Sequence, residues 1–291
     1  MPQPTSSDVT IRVATADDAA VAGKICFEAF DAISKAHNFP PDLPAVEAGI
    51  GVLSALFSAP GFYCVVAEVG GRIVGSNCLD ERAIIHGLGP ITVDPSAQNL
   101  GVGRKLMHAA LDRSKQKGAA GVRLVQAAFH GRSLSLYASL GFDIREPLSC
   151  MQGRTKQRTV AGCTVRKAEA VDLESCNALS HRVHGFDRSA DLAHAIEQGT
   201  AKVVERGDTI TGYATDLAFY AHATTESTQD LQALIASAEV LAGPGILVPS
   251  RNAELFRWCL ANGLRVTQPM TLMTAGLYND PSGAYLPSIL Y

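Results

Sequence analysis

The stretch VDPSAQNLGVGRKLM, from Val93 to Met107, decides how the rest of the chain is read. A strand-like run stops at Asp94-Pro95, because proline lacks the N–H that a central ladder needs. A polar loop follows, and after Gly101 and Gly103 a helical pattern begins. The first N–H groups of a helix have no partner inside it. Glycines let such groups approach a ligand closely and permit positive φ. The turn is therefore a nest for anions, helped by the positive end of the helix dipole. Arg104 and Lys105 stand where a cation costs the helix about 0.3–1 kcal/mol each, a penalty that a bound polyanion would reverse. A plain glycine-containing turn with solvated basic residues accounts for the same letters.

Two common phosphate loops do not fit. A P-loop places Lys-Ser or Lys-Thr after its second glycine, whereas Arg104-Lys105-Leu106 follows Gly103. A dinucleotide fingerprint needs a third glycine where Leu106 stands.

The chain has 291 residues, 47% hydrophobic and 18% charged, which is material for two domains with real cores. A formal net charge of −3 argues against nucleic acid as a partner. Seven cysteines, an odd number with no Cys-x-x-Cys pair, argue against a disulfide framework and against a metal site. No apolar run of about 18 residues is present, so no membrane span is expected. The opening MPQPTSSD lacks a basic region followed by an apolar core, so the expectation is a cytoplasmic protein without a signal peptide.

The chain also repeats itself. VTIRVATADD (Val9 to Asp18) matches CTVRKAEAVD (Cys163 to Asp172), and VVAEVGGRIVG (Val65 to Gly75) matches VVERGDTITG (Val203 to Gly212). VRLVQAAFHGRSLSLYASLGFDI (Val122 to Ile144) matches ILVPSRNAELFRWCLANGLRV (Ile246 to Val266). Three matches in one order predict a duplication. The first copy reads as a strand (Thr10–Ala14), a helix (Asp17–Phe30), a proline-bearing loop and a helix (Ala45–Ser58). A hairpin (Phe62–Val69, Ile73–Leu79), a strand (Ile84–Val93) and a helix (Val102–Lys117) follow, then a strand (Val122–Ala127), a helix (Ser133–Leu140) and a closing strand or two. The segment 151–162 has few large apolar residues and reads as a linker. The expected fold class is α/β, an α+β mixed sheet, in two tandem domains at 1–152 and 163–291, each a mixed central sheet flanked by helices.

Gln98-Asn99-Leu100-Gly101-Val102-Gly103, preceded by Val93-Asp94-Pro95, resembles the Gln/Arg-x-x-Gly-x-Gly/Ala loop of the GNAT superfamily of N-acetyltransferases. Downstream, Leu136-Tyr137-Ala138-Ser139-Leu140-Gly141-Phe142 is similar to that superfamily's LYxxxGF segment. The resemblance covers residues 9–150. It implies acetyl-CoA as donor, with the pyrophosphate on the N–H groups of residues 98–104, Gln98 through Arg104. The pantetheine arm would lie along the backbone of Ile91, Thr92 and Val93. His130 stands where the family often has asparagine, which departs from its usual contact to the arm.

Acyl transfer to an amine requires removal of a proton from the amine, stabilisation of a tetrahedral oxyanion, and protonation of the departing thiolate. The resemblance makes Tyr137 the acid. For the base, His86 on the strand leading into the site titrates near neutral pH. Asp80 and Glu81 stand at the end of the preceding hairpin, and His37, in the proline-flanked loop, is a residue that could touch substrate. The second copy has no Gln-x-x-Gly-x-Gly between Tyr220 and Leu241, and Cys259, beside Trp258, where Tyr137 would align. It reads as a degenerate GNAT-like domain walling the acceptor site, with the aromatic tail from Tyr278 to Tyr291 docked on a surface. The expectation is a transferase acting on a small-molecule or amino-acid-like amine, as a monomer or homodimer. A non-catalytic acyl-CoA sensor and a scaffold that binds no cofactor are the alternatives.

Overall fold

The computed structural model describes residues 8–156 and 159–290. The first seven residues, read above for a leader, and two residues of the expected linker lie outside them. The chain folds as two compact units. The first takes the described residues to Leu124 with Ser135–Gly141 and Leu290, and the second takes 125–134 and 142–289.

The first unit opens with strand β1 (Val9–Val13), helix α1 (Ala19–Ala36) and helix α2 (Val46–Ser58). Strands β2 (Phe62–Val69), β3 (Arg72–Asp80) and β4 (Ile85–Val93), helix α3 (Val102–Gln116) and the start of β5 (Gly121–Ala127) follow. Helix α4 (Gly131–Ser139) brings its second half to this unit. The strands lie in the order β1-β2-β3-β4-β5, antiparallel except for β4 and β5. Gly70 and Gly71, both at positive φ, close the β2–β3 hairpin with the handedness a two-residue turn requires. Alternation along the strands builds two cores. Cys64 and Cys78, opposite each other in register, pack with Ala22, Cys26 and Leu53 of α1 and α2. Val65, Ala67 and Val74 pack with Val102 and Leu106 of α3. Helix α1 runs six residues past its expected end, carried by a Lys35–Asp31 pair one turn apart at 2.7 Å.

The second unit continues with β6 (Asp143–Gln152), β7 (Thr164–Lys167), α5 (Leu173–His184), α6 (Ser189–Glu197), β8 (Lys202–Arg206) and β9 (Thr209–Ala214). It ends with β10 (Ala223–Thr225), α7 (Thr228–Ala236), β11 (Ile246–Pro249), α8 (Ala253–Ala261), β12 (Arg265–Gly276) and β13 (Ala284–Leu286). One sheet runs β13-β10-β9-β8-β7; in the other, the last residues of β5 are followed by β12, β6 and β11.

The duplication is visible in the ion pairs. Arg12 bridges Asp18 at 2.7 Å and Glu68 at 2.8 Å. Arg166 bridges Asp172 at 2.7 Å and Glu205 at 2.7 Å. Each acidic turn holds the backbone N–H three residues earlier, Thr15 and Glu169, at 2.8 Å. Each hairpin carries its bulge at the same place, beside Glu68 and beside Glu205. The hydrogen bonds from Arg12 draw the Asp18 carboxyl down to about 2.

The expected domain boundary is not where the compact units part. Met151 and Gln152, read as linker, are strand: Met151 is fully buried, and the Gln152 amide donates to the carbonyls of Leu241 and Gly243 at 3.1 and 2.8 Å. The sparse apolar content of 151–162 concealed the last two residues of β6, which runs from Asp143 to Gln152. β6 lies between β12 and β11, so both of its neighbours come from the second repeat. The exchange is symmetric. Ser250 N–H donates to the Pro147 carbonyl at 2.8 Å, and its repeat counterpart Ala128 donates to Pro269 at 3.0 Å. The tail is docked, as β13 pairs antiparallel with β10.

Helices α1 and α2 meet backbone to backbone. A Cβ on Gly23 would fall on the Cα of Ile50, and one on Gly49 would stand 2.5 Å from the Gly23 carbonyl. Gly23→Ala should therefore force the helices apart and cost about 1–3 kcal/mol despite the better helix propensity of alanine. Urea unfolding checks this; an unchanged or higher midpoint would show that the crossing yields easily.

Candidate active site

The site is built on β4. On one side it pairs with β3 as far as Gly75 opposite Val93. On the other it pairs in parallel with β5 only over Ile85–Gly87. Gly89, at φ 139°, and Pro90, which has no N–H, then break the ladder. Ile91 and Val93 pack on the α3 side, and Thr92 turns toward Cys26 of α1. The side chain of Thr92 is thus committed to the core.

After Val93, Asp94 accepts from the Ser96 N–H at 2.8 Å and pairs with Arg72 at 3.0 Å. Burial pushes the Asp94 carboxyl up, but the bonds from Ser96 and Arg72 outweigh it and hold the group below its ordinary range. Asn99 (φ 73°) and Gly101 (φ 75°) both take the left-handed conformation, which turns the chain sharply into α3. Gly101 is the N-cap of α3, with no side chain capping the helix and no acid in its first turn. The first N–H groups of a helix have no partner inside it, and an anion would neutralise them and the dipole.

Arg104 and Lys105 part company. The Arg104 guanidinium donates to Ser139 Oγ at 2.9 Å, at the end of α4. Lys105 does not face the loop as its position in the sequence suggested: its Nζ donates to the Val9 carbonyl at 2.8 Å. A Cβ on Gly103 would stand 3.4 Å from Leu136 Cδ2, so the helix carrying Tyr137 packs directly on the first turn of α3. Tyr137 is buried, and burial raises its phenol above the ordinary value. Ser139 and Leu136, which dock α4 there, had no signal in the sequence beyond lying beside Tyr137.

His86 lies at the other end of β4, about 23 Å from Val93 at roughly 3.3 Å per residue. It is buried, and its Nδ1 has no hydrogen-bond partner. Desolvation lowers its pKa against the pull of Glu81 and Asp80, so the ring is neutral at pH 7. Asp80 is held by Arg82 at 2.5 Å and Glu81 by Arg113 at 2.5 Å, which leaves both carboxylates engaged. His37 bonds the Ile33 carbonyl at 3.0 Å and closes α1. His130 belongs to the second unit, where its carbonyl accepts from Ser133 Oγ at 2.9 Å.

The corresponding turn of the second repeat differs at every point. Two residues, Glu226 and Ser227, join β10 to α7, and Ser227 caps the helix by accepting from the Asp230 N–H at 3.2 Å. Asp230 is buried in the first turn and takes bonds from Arg206 at 2.7 Å and Ser227 Oγ at 2.6 Å. A helix start that already holds a carboxylate repels a second anion. Cys259, in place of tyrosine, is buried, and its thiol is pushed up to about 12.

Residues 28–142 match the family model of the GNAT acetyltransferases. They form a GNAT acetyltransferase domain. No curated protein matches the sequence. A Pyrococcus horikoshii protein classed as an acetyltransferase is similar in structure, with TM-score 0.71, 17% identity and 98% of this chain against 96% of that one. A tandem GNAT protein from the clavulanic acid biosynthesis pathway aligns at TM-score 0.57 and 14% identity, over 92% of this chain and 98% of that one. A GCN5-related N-acetyltransferase from Sphaerobacter thermophilus aligns at TM-score 0.60 and 14% identity, over 95% and 98%. These likenesses concern the fold, which is mixed α/β and has the length of a tandem GNAT protein. Among the described residues no helix is long and apolar enough to cross a membrane, and no group of three or more His, Cys, Asp or Glu could hold a metal ion.

The buried His86 sets a pH dependence. Its folded pKa lies below the unfolded value of about 6.5, so the unfolded chain binds the extra proton as pH falls. The stability of the neutral ring is present above about pH 6.5 and is lost as pH drops from there toward the folded value. Urea unfolding at pH 7.5 and 5.5 should show a smaller loss of stability in His86→Gln than in the parent chain. Equal losses would place the acid sensitivity elsewhere.

Proposed function

We propose that the first repeat is an N-acetyltransferase that moves an acetyl group from acetyl-CoA to a primary amine of a small-molecule or amino-acid-like acceptor by direct attack. The observation that carries this is the uncapped start of α3 at Gly101, at the end of a strand freed from β5 after Gly87. N–H groups of residues 98–104 would hold the pyrophosphate, and the main chain of Ile91, Thr92 and Val93 would bond the extended arm. In the reaction the amine nitrogen bonds to the carbonyl carbon, the C–S bond breaks, and the sulfur leaves with the electron pair. A backbone N–H of β4 would stabilise the oxyanion. Tyr137, whose phenol is protonated at neutral pH, would donate to the sulfur. His86, neutral and with a free Nδ1, is the candidate to receive the amine proton through water.

The second repeat is, on this reading, a degenerate copy. Asp230 and Ser227 take up the helix start, and β13 covers the edge of β10. One donor site per chain follows. Calorimetric titration should give one acetyl-CoA per chain in the parent and none in Gly103→Glu, whose side chain would meet Leu136 and Val93. Two sites would overturn the degenerate reading, and no binding would leave a scaffold on this fold. With a panel of primary amines, Tyr137→Phe should lower kcat by about 10²–10⁴ with donor binding retained. Binding without thiol release for any amine would mark a sensor.

A further inference from the structure

We propose that the second unit holds a binding pocket for a small primary ammonium ion, built on Glu146. The inference does not rest on the donor site. A cavity of 270 Å³ opens against β6, the end of β11 and the tail before β13, lined by Glu146, Pro249, Arg251, Asn252, Asp280 and Tyr285 among others. Glu146 is only 3% exposed. Arg251 spends two donors on one carboxylate oxygen, with Nε at 2.9 Å and Nη2 at 2.6 Å from Oε2. Oε1 is left buried with no hydrogen-bond partner. A charged oxygen in that position carries its desolvation penalty until a donor arrives.

The charges select the donor. Asp280 stands 4.0 Å from the same guanidinium, so one cation faces two carboxylates and a negative charge is left over. An ammonium brings both the N–H and the missing charge. A carboxylate or phosphate would meet two like charges, and an alcohol brings the hydrogen alone. Asn252 is already satisfied, accepting from the Leu255 N–H at 3.0 Å and donating to Thr228 Oγ1 at 3.1 Å, so it serves as wall. Pro249 and the Tyr285 ring offer apolar surface to an alkyl stem, and the ring face favours a cation. The repeat supplies a control. At the symmetric place, Gln268-Pro269 stands for Glu146-Pro147, with the same bond from the facing strand. The fold accepts an amide there, so the position does not itself require a carboxylate.

The test is calorimetric titration of the full chain with n-butylammonium chloride at fixed ionic strength, beside butyrate and 1-butanol. A butylammonium site should weaken about tenfold or more in Glu146→Gln, checked for native fold by its melting curve, since a charged hydrogen bond is lost. It should weaken about twofold in Asp280→Asn, whose exposed side chain leaves the fold intact. Butyrate and butanol should not compete. No butylammonium binding, binding unchanged in both variants, or equal binding of butanol would overturn the proposal and leave a water-filled hollow.

Discussion

β4 must serve two partners, and most of the first unit follows from that constraint. Its β3 edge is paired along nearly its whole length, which fixes its position under α3. Its β5 edge is paired for three residues only. A parallel pair that continued would satisfy every N–H and carbonyl of β4 and leave nothing to bond an extended ligand. Gly89 and Pro90 end the pairing. The chain then has to turn at once into α3, which it does with two left-handed residues, Asn99 and Gly101. The strand gap and the uncapped helix are thus one feature, made by one stretch of chain.

The second repeat shows what the same fold does without that stretch. Its β10 is three residues long and has β9 on one side and β13 on the other. The edge that β4 leaves open is filled by the tail. Its α7 begins two residues after the strand and is neutralised from inside by Asp230 and Ser227. Helix α7 gains a satisfied, buried start, and α3 forgoes one. A glycine N-cap such as Gly101 costs a few tenths of a kcal/mol, roughly, against a side-chain cap. That cost in the first repeat is intelligible where a ligand supplies the cap.

Much of this was legible in the residues. The glycine loop, the hairpin and the repeat units are local patterns with local causes, and they stand close to where the spacing put them. The Arg12–Asp18–Glu68 staple and its copy around Arg166 were present as matching letters, though their meaning as ion pairs needed the bulges beside Glu68 and Glu205. Other features were not legible, because they depend on contacts distant in sequence. Lys105 turning to Val9, Arg104 reaching Ser139 and the Glu146–Arg251 pair are of that kind. The neighbours of the closing strand of the first repeat, β11 and β12, are of that kind too. Periodicity predicts that a segment is strand, and says nothing of which strand lies beside it.

That strand bears on why a repeat without the donor loop persists. β6 finds both of its neighbours, β11 and β12, in the second repeat, with registers running from Met151 to Leu148 and from Gln152 to Asp143. Leu148, Cys150 and Met151 are buried in that arrangement. Without the second repeat, β6 would present two unpaired edges and an apolar face, the pattern that invites aggregation. β12 in turn ends beside the last residues of β5, through the bond from Ala128 to Pro269. Exchanged strands make each repeat a structural part of the other. The closing strand of the first repeat therefore depends for its hydrogen bonds on β11 and β12, whatever the second repeat itself binds.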